Sequence, residues 1–178
     1  MDTSFTNREV AVTSVAPAES VATQPVSPRY RVVNLVMSVV LALGLFVIAT
    51  LVRFQPWVSL PPGLLNAYPV VSAAVLLLGV WAFTYHWFAD RRVRFALREH
   101  DLILHKGLFF RKMVCQPMLR IQHVELKHGP VERLAQLATL QVFSAGGAGH
   151  TFEIPGLPDA TAQQLRQFIL THKDLQTE

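Results

Sequence analysis

Arg111, Lys112, Arg120, Gln122 and Arg133 are the side chains whose type and spacing best suit ligand recognition. Arg120 and Gln122 flank Ile121, and such a pair offers a polar grip on a partner or a headgroup. The plainer reading is that both satisfy backbone carbonyls at a bend, and it carries more weight. Arg133 has the same ambiguity, because it could pair with Glu132 or with a loop carbonyl. Strict alternation puts Gln122 on the same face as Val124, so a bend or bulge after Pro117 is required. Other chemistry finds less support. The seven histidines include no H-E-x-x-H and no close cysteine partner, so no metal site is expected. His123 and Glu125 share a strand face but lack a third ligand. Ser144 lies outside any G-x-S-x-G elbow. The glycine loop 145–149 lacks the G-x-x-x-x-G-K spacing and reads as a hairpin loop. No catalytic set and no cofactor is expected, and the chain does not read as an enzyme. The single cysteine, Cys115, excludes an internal disulfide. Its alternating apolar surroundings suggest a buried small hydrophobe; a reactive thiol is the alternative.

The elements that must position these residues begin with two charge-free apolar stretches, Val32–Val52 and Tyr68–Phe88. As helices rising ~1.5 Å per residue, each would run about 31 Å, enough for a hydrocarbon core of about 30 Å. A cleaved signal would start nearer the N-terminus and end in small residues. Instead, the first stretch runs into Arg53-Phe54-Gln55-Pro56-Trp57, so an uncleaved span is expected. Arg29 and Arg31 precede the first span, and Arg91, Arg92 and Arg94 follow the second, while the connecting loop holds only Arg53. This asymmetry places both termini in the cytoplasm and the protein in the inner (plasma) membrane. No charge sits mid-span, so a two-helix transporter is not expected. Ser38 and Ala42 form a small-xxx-small pair that would help the helices pack.

Three regions follow: an N-terminal tail (1–31), a transmembrane hairpin (32–89) and a cytoplasmic domain (90–178). The tail is rich in Ser, Thr, Ala, Val and Pro and is expected to be disordered. The formal charge of +4 is unevenly spread. From Arg91 to Arg133, ten Lys/Arg face four Asp/Glu, a net of +6 next to the membrane. Anionic lipids attract such a region by about 1 kcal/mol per basic side chain near the surface. The excess is too small and too close to the membrane to argue for nucleic acid.

Alternation dominates the domain. Val93–Arg98 reads as a strand with one wet face. Leu102–Leu104 follows as its hairpin partner, ended by Gly107. Phe109–Cys115 reads as a third strand, broken by Pro117. Ile121–His128, Thr139–Ser144 and Thr151–Ile154 read as further strands, with a short helical bridge over Val131–Leu137. After Pro158 the period changes. Leu165, Phe168, Ile169 and His172 mark one helix face, with Asp159 or the Thr161–Gln164 box as its start. A small antiparallel sheet or partial barrel plugged by this helix would bury both apolar faces.

The segments Pro117–Val124, Gly129–Leu134 and Leu137–Gly147 also carry a resemblance. They resemble the bacterial pleckstrin-homology-like family of YdbS type, with its P-x-x-R-I/V-Q-x-V entry and G-L-A-T-L-x-V-x-T-A-G segment. The resemblance covers residues 32 to about 172, and the helix entry Ile154–Pro158 fits it. Gln136 departs from it, standing where the family usually has Gly, a residue suited to a tight turn. Ser144 stands where Thr is common. The resemblance implies two membrane spans and a PH-like bent antiparallel sandwich or barrel capped by a C-terminal helix. It also implies a binding or scaffold role, docking a larger multi-domain PH-like membrane protein of YdbT type in an envelope complex. The alternative is sensing of anionic lipid headgroups by the basic half of the domain, through Arg111, Lys112 or Arg120. Membrane lipids are partners on either reading, and an oligomer is compatible with both.

Overall fold

The structure, a computed structural model, describes residues 22–57, 59, 61–144 and 151–175, the last four by backbone alone. Two long apolar helices come first, α1 (Pro28–Phe54) and α2 (Pro62–Ala89). Ser27 caps α1, its hydroxyl accepting from the Arg29 amide, and Pro28 opens the first turn without wasting a donor. Both helices are long and apolar enough to cross a membrane, and both contain the expected apolar stretches. They pack closely where small residues meet. A Cβ added at Gly79 would lie 2.6 Å from Ala42 Cβ. Ser38, the other member of the expected small pair, bonds its hydroxyl to the Asn34 carbonyl instead.

The strands form two antiparallel sheets. The first has the order β1-β2-β3-β4, with β1 (Gln24–Pro25), β2 (Arg94–Leu97), β3 (Asp101–Lys106) and β4 (Lys112–Pro117). The second has the order β5-β6-β7, with β5 (Ile121–Lys127), β6 (Leu137–Ser144) and β7 (Thr151–Pro158). A one-turn helix, α3 (Pro130–Leu134), joins β5 to β6, and α4 (Asp159–Leu175) closes the chain. Leu102 and Leu104 of the first sheet share one core with Val124, Leu140, Val142, Ile154 and Leu157 of the second. Ala162, Leu165 and Ile169 of α4 complete it. The sheets stay open, as a sandwich whose end is covered by the helix rather than a closed barrel.

Several expectations need correction. Residues 22–31, read as part of a disordered tail, include β1 and the start of α1; Val26 is buried in the core. The rest of the tail (1–21) and the glycine loop lie outside the described residues. The third strand starts at Lys112, not Phe109, because Gly107–Arg111 makes a tight turn. Gly107 has φ +105°, and a Cβ there would collide with the Phe110 carbonyl oxygen. Pro117 ends β4 rather than breaking it, and a 3-10 turn (Met118–Arg120) follows. Cys115 is exposed, not buried. Strand β6 starts two residues earlier than read, at Leu137, and α3 stops at Leu134. β7 continues past Pro155 to Pro158. The required irregularity after Pro117 is present: the register of β5 slips between Ile121 and His123, which turns both Ile121 and Val124 inward.

Candidate functional site

Where α2 meets the first sheet, a cleft of about 610 Å³ opens. Arg91 and Arg92 reach it from the 3-10 turn after α2, Arg94 from β2, Lys106 from the end of β3, Arg111 from the turn that follows and Lys112 from the start of β4. Among the described residues, no carboxylate lines the cleft with these six cations. Three have structural partners: Arg94 donates to the Thr23 hydroxyl and carbonyl at 2.7 Å each, Arg92 donates to the Leu108 carbonyl at 3.4 Å, and Arg91 lies over the Trp87 ring. Lys106, Arg111 and Lys112 make no ion pair among the described residues.

The register makes this arrangement costly. Lys106 and Lys112 are direct cross-strand partners, flanking the Gly107 turn. Like charges placed opposite one another destabilise a strand pair by about 0.2–1 kcal/mol. The next pair inward, His105 and Met113, also lines the cleft. His105 Nε2 is buried without a hydrogen-bond partner among the described residues. A concave surface with uncompensated ammonium and guanidinium groups and a spare imidazole nitrogen suits a phosphate or carboxylate, whose oxygens accept from all three.

A second polar cluster joins the helices to the domain. Asp90 is buried and accepts from Asn34 Nδ2 at 2.8 Å, and His86 Nδ1 lies 3.3 Å from both of its carboxylate oxygens. Arg31 and Arg91 approach the Trp87 ring at 4.9 and 5.0 Å. The Ser27 amide donates to the Gly156 carbonyl at 3.0 Å. Gly156 has φ +67°, and a Cβ there would overlap the Tyr30 ring, so β7 can meet α1 only through glycine. Gln136, the departure from glycine noted in the sequence, has φ 55°. Its side-chain oxygen accepts from Arg29 Nη1 at 3.2 Å, and its carbonyl accepts from the Asp159 amide at 3.2 Å.

The chain matches the bacterial PH domain family model over residues 10–173. It belongs to the bacterial PH domain family. It is also 29% identical over 142 residues to the UPF0699 transmembrane protein YdbS of Bacillus subtilis (strain 168), covering 79% of this chain and 83% of that protein. No solved structure matches it at a significant level. The family is that of a binding module, and the two candidate spans, with a transmembrane relative, point to a membrane.

Of the residues expected to bind, the PH domain brings Arg111 and Lys112 into the cleft and leaves Arg120, Gln122 and Arg133 outside its lining. Arg120 ends the 3-10 turn, exposed, and Gln122 is exposed at the bulge. Arg133 does not pair with Glu132, whose carboxylate accepts from the Gly129 amide at 2.7 Å and the Thr139 hydroxyl at 2.8 Å. The topology-setting arginines divide: Arg91, Arg92 and Arg94 enter the cleft, and Arg29 and Arg31 enter the junction. Lys106 was missed from sequence. Its signal was the symmetric pair of lysines around Gly107, which a hairpin places side by side. His123 Nε2 and Glu125 Oε1 meet at 3.0 Å on an exposed face, and no group of metal-ligating side chains occurs among the described residues. Cys115 donates its thiol to Asp101 Oδ2 at 3.5 Å. Partial burial, then the Asp101 charge, pushes this thiol above its ordinary pKa.

Proposed function

We propose that this protein is a membrane-anchored PH module that holds an anionic lipid headgroup in the basic cleft, at the inner leaflet of the plasma membrane. The observation that carries this reading is the gathering of six cations from successive segments, with a directly opposed Lys106–Lys112 pair and no carboxylate in the lining among the described residues. A like-charged cross-strand pair is a standing cost that a bound phosphate would offset. The lysine and arginine distribution supports the orientation: both termini in the cytoplasm and the short connecting loop outside. The cleft would then lie at headgroup level, where the leaflet is negative.

The test uses the full chain in nanodiscs of phosphatidylcholine with graded phosphatidylglycerol, extracted gently and weighed intact with its retained lipid. Selective retention of phosphatidylglycerol is expected. The double change Arg111→Ala with Lys112→Ala should weaken it about 30-fold, at about 1 kcal/mol per lost cation. Equal retention of both lipids would defeat the proposal.

A second reading, docking of a larger PH-like membrane protein, draws on a different surface. Leu119 and Leu134 are strongly exposed, each beside one of the arginines outside the cleft, Arg120 and Arg133. Leu119 precedes β5 and Leu134 follows it, so they mark two separate points, each with an adjacent cation, that suit apolar and acidic contacts from a partner. A mild-detergent pull-down of the full chain from its native membrane tests it. A stoichiometric membrane protein lost on Leu134→Ser with Arg133→Ala supports docking, and a partnerless preparation removes it.

A further inference from the structure

The turn between β3 and β4 does not stop at the edge of the domain. It runs back along α2. Leu108 and Phe109 line a wholly apolar groove of about 240 Å³ with Trp81, Thr84, Tyr85 and Phe88 of that helix. Trp81 precedes the end of α2 at Ala89 by about 12 Å, at ~1.5 Å per residue. A loop of the domain therefore lies alongside the span at a depth where headgroups give way to acyl chains. Phe109 and Phe110 at its tip are 72% and 89% exposed, which is unfavourable in water and favourable in that layer. The cations flanking the tip, Lys106, Arg111 and Lys112, point to the same boundary, since long basic side chains keep their heads at the headgroups.

The groove and the basic cleft share this turn. Gly107 lines the cleft and its neighbour Leu108 lines the groove; Arg91 and Arg92 line the cleft, and Phe88, a few residues earlier, lines the groove. The Arg92 guanidinium fastens the turn between them by its bond to the Leu108 carbonyl. We infer that a single anionic phospholipid straddles the β3–β4 turn, with its phosphate in the cleft and the start of one acyl chain in the groove. The ligand is thus a chain-bearing lipid still seated in the bilayer, and a free phosphate or a soluble headgroup lacks half of the contacts. This inference rests on the lipid reading of the cleft.

The test keeps Trp81 as the sole tryptophan, in the full chain with Trp57→Phe and Trp87→Phe, in nanodiscs. Lipids brominated near the carbonyl end quench a tryptophan that they touch. Brominated phosphatidylglycerol should reach half-maximal quenching of Trp81 at a mole fraction about tenfold lower than brominated phosphatidylcholine. Phe109→Ser, at an exposed turn that leaves the core intact, should raise the mole fraction of brominated phosphatidylglycerol needed for half-maximal quenching about tenfold, the scale of one buried aromatic side chain. Arg111→Ala with Lys112→Ala should instead remove the preference for phosphatidylglycerol over phosphatidylcholine. If phosphatidylglycerol is retained selectively but quenches Trp81 no better than phosphatidylcholine, the straddling lipid is wrong and the cleft reading stands. The straddling lipid is equally wrong if Phe109→Ser leaves that mole fraction unchanged. If neither retention nor quenching depends on lipid charge, the cleft reading itself falls.

Discussion

The junction and the cleft lie on either side of the same helix end, and both are built from polar and charged side chains. At the junction most of the charged groups have found partners, although Arg31 Nε is buried without a hydrogen bond among the described residues. Asp90 takes Asn34 and His86, Arg29 takes Gln136, and Arg31 lies against Trp87. In the cleft, Lys106 faces Lys112 across the strands, Arg111 makes no ion pair, and His105 Nε2 is buried and unbonded among the described residues. The difference separates two uses of charge. Polar groups satisfied within the chain set geometry; those left open at a cost to the fold are the ones available to something outside it. Mutations should therefore have opposite signatures, with junction changes lowering stability and cleft changes lowering binding while leaving stability intact or raising it.

The sharpest break is expected at Gly156. Replacement by Val combines a left-handed backbone with overlap of the Tyr30 ring, and each contributes about 1–3 kcal/mol. Loss of about 2–5 kcal/mol in denaturant unfolding of the full chain in detergent is the expected result. A loss below about 1 kcal/mol would mean that β7 and α1 are not held together there. Asp90→Ala comes next. It removes the partner of Asn34 and His86, leaving a half-buried amide donor without its acceptor, for about 1 kcal/mol. Retained lipid preference in whatever fraction remains folded would confirm that the junction is structural.

Lys112→Thr inverts the pattern. It removes one of two opposed ammonium groups and supplies a β-branched residue to a strand. Stability should rise by about 0.2–1 kcal/mol while anionic-lipid retention falls about fivefold. If it is destabilising instead, the lysine pair is not a strained arrangement and the contrast between the two regions weakens. Gln136→Gly is smaller still. It relieves a left-handed backbone that costs a non-glycine residue about 1–2 kcal/mol, but it also gives up the Arg29 bond and frees the unfolded chain. A net gain under about 1 kcal/mol is expected. Arg29→Ala should then cost nothing further in the Gln136→Gly background, whereas it costs some tenths of a kcal/mol in the parent.

These residues also show what was readable from the chain. Two spans are visible because membrane helices need unbroken apolar length, and the strands are visible because a half-buried sheet must alternate. The Gln136 departure was readable because a glycine position announces a backbone conformation, and φ 55° is what the fold uses there. The cleft was not readable as a site. Its cations come from the foot of α2, from three strands and from the β3–β4 turn, and Arg91, Arg92 and Arg94 were accounted for by topology alone. Only hairpin register brings Lys106 opposite Lys112. The two-residue β1 has no period to read, and it forms because β2 offers a free edge and Arg94 a pair of bonds to Thr23. The extension of β7 was hidden by Pro155 and Gly156, which normally end strands; here Gly156 supplies the contact with α1.

Cys115 gives the smallest effect and bears on the same contrast, because it is exposed like the cleft yet paired like the junction. Its thiol bonds Asp101 Oδ2, and both partial burial and that carboxylate favour the protonated form. The thiolate is the reactive species, so alkylation at about pH 8 should run several-fold slower than for a free thiol of ordinary pKa. Asp101→Asn, which keeps a hydrogen-bond acceptor but removes the charge, should recover part of that rate. The sign for stability follows from the same shift. A thiol whose pKa is raised by folding contributes fully below the ordinary thiol pKa, and this contribution is lost as pH rises through the folded value. The stability of the parent should therefore fall more steeply than that of Cys115→Ser on the alkaline side, and equal slopes would show that folding does not raise this thiol's pKa.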